Sequence, residues 1–211
     1  MDKKILINKI QKLVNHYKTG NFIHVIKEGQ LIIKKIPNNI FLTNLIAMSH
    51  QAIGNFKLAI SGYYHIIGLD NKNKEAYNNL GTVFKSTNDL DESKKNFTKA
   101  LDIDPNFVDA LTNLGNLYFE LNDYENSINY LTRSLKINNK NALAHYNIGL
   151  VYQSIGEHKK SINHLKKVLE LNPANTNADK LISRMKSYNE KDEHIAEMEE
   201  KLNKLKLNDF Q

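Results

Sequence analysis

Apolar and polar positions along this chain recur with two nested periods. In the stretch EAYNNLGTVFKS, Tyr77, Leu80 and Phe84 fall at i, i+3 and i+7, one face of an α-helix. Asn88-Asp89 then interrupts the pattern with two residues that tolerate turn geometry and cap a new helix. In LDESKKNFTKALDI a second stripe follows, made of Leu90, Phe97, Ala100, Leu101 and Ile103. Asp104-Pro105 ends it, because the residue before a proline is biased away from helical geometry. One unit therefore reads as helix, turn, helix.

The longer period shows in the punctuating residues. Pro37, Pro105 and Pro173 are 68 residues apart, twice 34, and Gly81, Gly115 and Gly149 are 34 apart. Gly20 and Gly54 are also 34 apart, and Gly156 lies three periods beyond Gly54. This register starts repeats near Leu6, Ile40, Lys74, Val108 and Ala142. It aligns the inter-helix turns as Gly20–Phe22, Gly54–Phe56, Asn88–Leu90, Asn122–Tyr124 and Gly156–His158. Gly81, Gly115 and Gly149 fall at position 8 of their repeats; Ala59, Ser93, Ser127 and Ser161 fall at position 20. A glycine inside a helix costs roughly 0.5–1 kcal/mol relative to alanine, so three in register predict a close helix crossing that only small residues allow.

These residues resemble the tetratricopeptide-repeat pattern: an aromatic near position 4, Leu-Gly at 7–8, Tyr at 11, Ala at 20, Phe at 24, Ala at 27 and Pro at 32. The third repeat supplies Tyr77, Leu80-Gly81, Phe84, Phe97, Ala100 and Pro105, with Ser93 where alanine is usual. The fourth keeps Leu114-Gly115 and Tyr118 but departs at Leu131, Ser134 and Asn139. The fifth has Ile148-Gly149, Tyr152, Leu165 and Pro173. The second is looser (Ile46-Ala47, His50, Ala59, Tyr63), and the first keeps mainly its Gly20 turn and Pro37.

The resemblance implies an all-α fold, an α-α superhelix or solenoid over residues 1–189. Its repeats lie near 6–39, 40–73, 74–107, 108–141 and 142–175, with a capping helix over 176–189. The cap's apolar stripe is Ala178, Leu181, Ile182 and Met185; Asp179, Lys180, Ser183, Arg184 and Lys186 form its polar face. Residues 190–211 read as a charged amphipathic helix or tail, with Ile195, Met198, Leu202 and Leu205 in a stripe that folds back, projects, or self-associates weakly. This tail also resembles the segment after the repeats in bacterial proteins that join tetratricopeptide repeats to a sulfotransferase domain. That likeness implies an alternative role: a non-catalytic region positioning substrate for a sulfotransferase or glycosyltransferase.

Composition narrows the chemistry. The chain has 211 residues, no cysteine and a formal charge of +6. Without cysteine it forms no disulfide, thiolate metal site or cysteine nucleophile. The absence also fits a reducing compartment. The charged, periodic N-terminus lacks a secretory pattern, and no stretch approaches the ~20 apolar residues of a membrane span. A cytoplasmic location is expected.

The positive charge is nearly all lysine, with arginine only at 133 and 184. Lysines solvating exposed faces explain it better than a nucleic-acid surface, which favours arginine. Among the eight histidines there is no His-Glu-x-x-His motif. His16 and His50, both at position 11, are expected between helices, while His158 and His164 do not share one helical face. Asp89 and Asp91 suit a helix N-terminus. Ser93, Ser127 and Ser161 are accounted for as small packing residues, and there is no nucleophile elbow. Neither an enzyme, nor a cofactor, nor a metal site is expected.

The expected function is a scaffold whose concave groove, lined by the first helix of each repeat, holds an extended peptide or protein segment. Position 6 reads Asn79, Asn113 and Asn147, a row of amides each offering a donor and an acceptor to a peptide backbone. The row resembles the asparagine ladder of the superhelical repeats in O-linked N-acetylglucosamine transferases. Asn44, Asn78 and Thr112 at position 5 and Thr82 and Asn116 at position 9 extend it; Tyr146 and Phe119 are candidate apolar anchors. Position 2 reads Glu75, Asp109 and Leu143, so the basic clamp that holds acidic chaperone tails in some of these repeats is missing.

Overall fold

The computed structural model describes residues 3–186 and 193–205. Every regular element among them is a helix, and the first ten helices fall two to each 34-residue period. The first repeat is α1 (Lys3–Lys18) and α2 (Phe22–Ile33), the second α3 (Ile40–Ala52) and α4 (Phe56–Leu69), the third α5 (Lys74–Ser86) and α6 (Leu90–Ile103). The fourth is α7 (Val108–Glu120) and α8 (Tyr124–Ile137), the fifth α9 (Ala142–Ser154) and α10 (His158–Leu171). Then come α11 (Thr176–Met185) and α12 (Glu193–Leu205). Residues 1–110 and 111–211 form two compact units. The parts of the expected cap at 187–189 and of the expected tail at 190–192 and 206–211, and the Leu202 and Leu205 side chains, lie outside the described residues.

The turns follow from residue chemistry at fixed positions. At position 15 the backbone enters the left-handed region at Gly20, Gly54, Asn88, Asn122 and Gly156, with φ between 58° and 78°. Glycine and asparagine tolerate that conformation best. At position 16, Asn21, Asp89 and Asp123 cap the second helix through their side chains. At position 34, Asn39, Asn73, Asn141 and Asn175 cap the next first helix, each accepting from an amide three residues on. At position 31, Asp70, Asp104, Asn138 and Asn172 accept from the amide two residues on, closing the turn between repeats. Many of the asparagines are thus structural punctuation. Phe107 stands where the other repeats carry the capping asparagine, and the Lys74 ammonium lies 4.9 Å from its ring centre and 2.6 Å from Asp104.

The core sits between paired helices. In the first unit one cluster gathers Leu13, Val25, Ile32, Leu42 and Leu45; another gathers Ala47, Ala59, Tyr63, Ile66, Leu80 and Val83. In the second unit Leu131, Ala144, Ile148 and Val151 form one cluster, and Leu165, Val168, Ala178 and Ile182 another. The register glycines are the contact points. A Cβ on Gly81 would stand 2.6 Å from the Phe97 ring, on Gly115 2.6 Å from Leu131 Cγ, and on Gly149 3.0 Å from Leu165. Repeat two inverts the device: position 8 is Ala47, and the glycine is Gly62 on the facing helix, where a Cβ would meet Ala47 Cβ at 2.8 Å.

The apolar stripe of α11 closes on α10 through Ala178 and Ile182. Its opposite face is not wholly solvated. Asp179 is buried, with His194 Nε2 at 3.2 Å and Lys201 Nζ at 3.0 and 3.1 Å from its two oxygens. Helix α12 is therefore folded back on α11.

Candidate functional site

Within the first unit the candidate residues lie on α3 and α5. Asn79 Nδ2 donates to Asn44 Oδ1 at 3.2 Å, joining first helices of successive repeats, and Asn44 Nδ2 approaches Met48 Sδ at 3.4 Å. Asn79 is half-buried, and its Oδ1 has no partner among the described residues. Asn78 is buried, and its carbonyl accepts from the half-buried Thr82 hydroxyl at 3.1 Å.

Within the second unit the candidates lie on α7 and α9. Asn113 and Asn116 are half-buried. Asn147 is 4% exposed, and its Nδ2 is a buried donor without an acceptor. Leaving such a group unpaired costs about 1–3 kcal/mol. Thr112 is turned into the repeat: its hydroxyl lies 2.8 Å from Ser134 Oγ and accepts from Asn141 Nδ2 at 2.9 Å. Phe119 packs on the cluster of Leu131, Ala144 and Val151, and Tyr146 on that of Leu165 and Ala178, each half-buried. The row is thus uneven: amides partly open at Asn79, Asn113 and Asn116, closed at Asn78 and Asn147, with Thr112 engaged internally.

Sequence reasoning passed over the Thr112–Ser134–Asn141 network. Its signal was Ser134 standing where the repeat pattern calls for alanine in the same repeat that has threonine at position 5. The ionisable pairs between helices were also hidden. His164 Nδ1 lies 3.0 Å from His145 Nδ1, on the partner helix. His145 Nε2 faces the Asn139 carbonyl at 3.2 Å, so that nitrogen carries the proton and Nδ1 accepts from His164. Burial lowers the His164 pKa, and the His145 charge adds to this. His50 is buried as expected, burial lowers its pKa, and its Nδ1 has no partner. Tyr63 is raised far above the phenol range by burial, and its hydroxyl donates to Gln51 at 2.8 Å. The hydrogen bond from Lys74 holds the Asp104 carboxyl below its ordinary range and raises Lys74 in turn. Among the described residues no three His, Cys, Asp or Glu side chains are placed to hold a metal, and no helix is long and apolar enough to cross a membrane.

A TPR-repeat family model matches residues 81–121 and 115–156, and a tetratricopeptide-repeat model matches 142–175. Residues 81–175 carry tetratricopeptide repeats. Solved tetratricopeptide-repeat structures share the fold at low identity. The pilF protein of Pseudomonas aeruginosa is 17% identical with a TM-score of 0.79, over 96% of this chain and 92% of that one. A thermophilic TPR protein of Thermus thermophilus is 14% identical with a TM-score of 0.73, over 85% and 98%. YrrB, described as a TPR protein with an unusual peptide-binding site, is 19% identical with a TM-score of 0.59, over 83% and 91%. No curated protein matches by sequence. The tetratricopeptide match thus spans the third to fifth repeats, where position 8 is glycine.

Proposed function

We propose that the chain is a protein-interaction scaffold that holds an extended peptide or protein segment against the first helices of its repeats. The observation that carries this reading is the Asn79–Asn44 rung, which fixes a half-buried amide with an unpaired carbonyl on that face. Asn113 and Asn116 add two half-buried amides on α7. Amides at helical spacing recognise the repeating N–H and C=O groups of a guest backbone while leaving its side chains unread. The fold shared with YrrB, whose description names a peptide-binding site, supports a guest of this class.

The test is affinity capture with the purified chain and its Asn79→Ala/Asn113→Ala/Asn116→Ala variant, with mass spectrometry of the retained proteins. Segments lost by the variant are then resynthesised as peptides and titrated. The expected result is weakening by about tenfold or more, since three amide contacts are each worth about 0.5–1.5 kcal/mol, with helicity preserved. Equal affinity for a folded variant removes the amide row from the function.

A further inference from the structure

We infer that the first unit carries a second docking site, on its second helices, for an acidic peptide that inserts one aromatic side chain between α2 and α4. Position 23 differs among the repeats, being Glu28 in the first and Asn96 in the third, and so does its contact with position 11. In repeats four and five the side chains at positions 11 and 23 are rings in contact across the helix pair. Tyr118 stacks on Tyr130 with centres 5.4 Å apart, and Tyr152 meets His164 at 5.8 Å. In repeat two the same positions hold His50 and Gly62, so the second ring is missing. Gly62 has no room to supply one, because its Cβ would collide with that of Ala47.

Beside Gly62 lies a cavity of about 450 Å³, floored by Ile46, Ala47 and His50 and walled by Lys34, Leu58 and His65. Its size is in the range of clefts that take a small organic group, ample for one aromatic side chain. No acidic residue lines it. Leu58 is 53% exposed beside it, a large apolar side chain without cover. The His50 Nδ1 is buried there without a hydrogen-bond partner among the described residues. An incoming ring would supply the contact that positions 11 and 23 make in repeats four and five.

Charge names the rest of the partner. Residues 1–69 contain nine lysines against Asp2 and Glu28, whereas residues 70–211 contain 20 basic and 21 acidic residues. The whole formal excess of +6 therefore belongs to the first two repeats. Lys27, Lys34, Lys35 and Lys57 lie on and beside the helices that wall the cavity. Such a field steers acidic segments and weakens with salt. The site uses none of the first-helix amides.

The chain has no tryptophan, so a peptide of glutamates and aspartates around one central tryptophan reports its own burial by fluorescence against a dark protein. Expected is a blue-shifted, saturable signal that weakens with added salt. Replacing the peptide's tryptophan by alanine should weaken binding about tenfold or more by calorimetry, as truncating an aromatic anchor does. Ser61→Phe, which fills the mouth from an exposed position, and Lys34→Glu/His65→Glu should each abolish the signal; the triple asparagine variant should leave it unchanged. Equal binding of the tryptophan and alanine peptides, binding insensitive to both cavity variants, or loss in the asparagine variant overturns the assignment. So does a free aromatic carboxylate, such as indole acetate, or a second copy of this chain that binds the cavity as tightly as the peptide. Failure of the asparagine variant to affect any partner bears only on the first-helix face.

Discussion

The Ser93 hydroxyl donates to the Gly81 carbonyl at 2.8 Å, and the bond recurs as Ser127–Gly115 at 2.8 Å and Ser161–Gly149 at 2.7 Å. Position 20 in these repeats is therefore more than a small residue. It ties the second helix to the first at the point where the glycine lets them touch, and all three serines are fully buried.

Changing Ser93 to alanine should keep the crossing and lose the bond. The expected cost is about 1 kcal/mol, read as a fall in the urea midpoint. Ser93→Val adds carbons at the crossing and should cost more, about 1–3 kcal/mol. A valine variant as stable as wild type would mean that the crossing is loose.

Repeat two offers a reciprocal test, because its glycine has moved to the facing helix. Gly62→Ala should destabilise by about 1–3 kcal/mol through contact with Ala47 Cβ. Adding Ala47→Gly costs about 0.5–1 kcal/mol on its own but opens room for the new methyl. The double variant should therefore be more stable than Gly62→Ala alone. A double-mutant cycle with no coupling would show that the two positions do not compete for space.

The repeat was legible because its punctuation is chemical. Left-handed turns need glycine or asparagine at position 15, and the residues there obeyed a 34-residue period that arithmetic reveals. The candidate face was legible only in part. Helical spacing placed Thr112 beside the asparagines, but its direction depends on Ser134 and Asn141, which are far away in sequence. Likewise Asp179 read only as part of the polar face of α11, because nothing in its own stretch shows that His194 and Lys201 return to cover it. Periodicity gives the face of a helix; what lies across from it requires the fold.

Acid should weaken the first unit through His50. Burial lowers its folded-state pKa, so the unfolded chain binds the proton more readily. The stability associated with the neutral ring is complete above the unfolded value of about 6.5 and is lost as pH falls below it, with a slope of at most about 1.4 kcal/mol per pH unit. His164, also lowered, adds a similar dependence in the second unit. The Lys74–Asp104 pair acts in a separate window: Asp104 is lowered, so its contribution is present above about pH 4 and lost at lower pH. His50→Phe should flatten the slope between about pH 6.5 and 5 measured by urea melts. An unchanged slope would place the titration elsewhere.

Asp179 controls whether α12 stays on α11. Its carboxylate is buried and receives Lys201 Nζ on both oxygens and His194 Nε2 on one. His194 is 2% exposed, so the carboxylate meets it inside the interface rather than at its rim. Removing one member of such a set is destabilising by up to about 3–5 kcal/mol when fully buried, and by less here because Lys201 is partly open. Asp179→Ala should therefore release α12 while α11 stays seated through Ala178 and Ile182. Hydrogen exchange should then rise across residues 193–205 and remain unchanged in α9 and α10. Asp179→Asn keeps the shape and one acceptor and should give an intermediate increase. Protection of 193–205 equal to wild type in Asp179→Ala would show that apolar packing alone holds the helix.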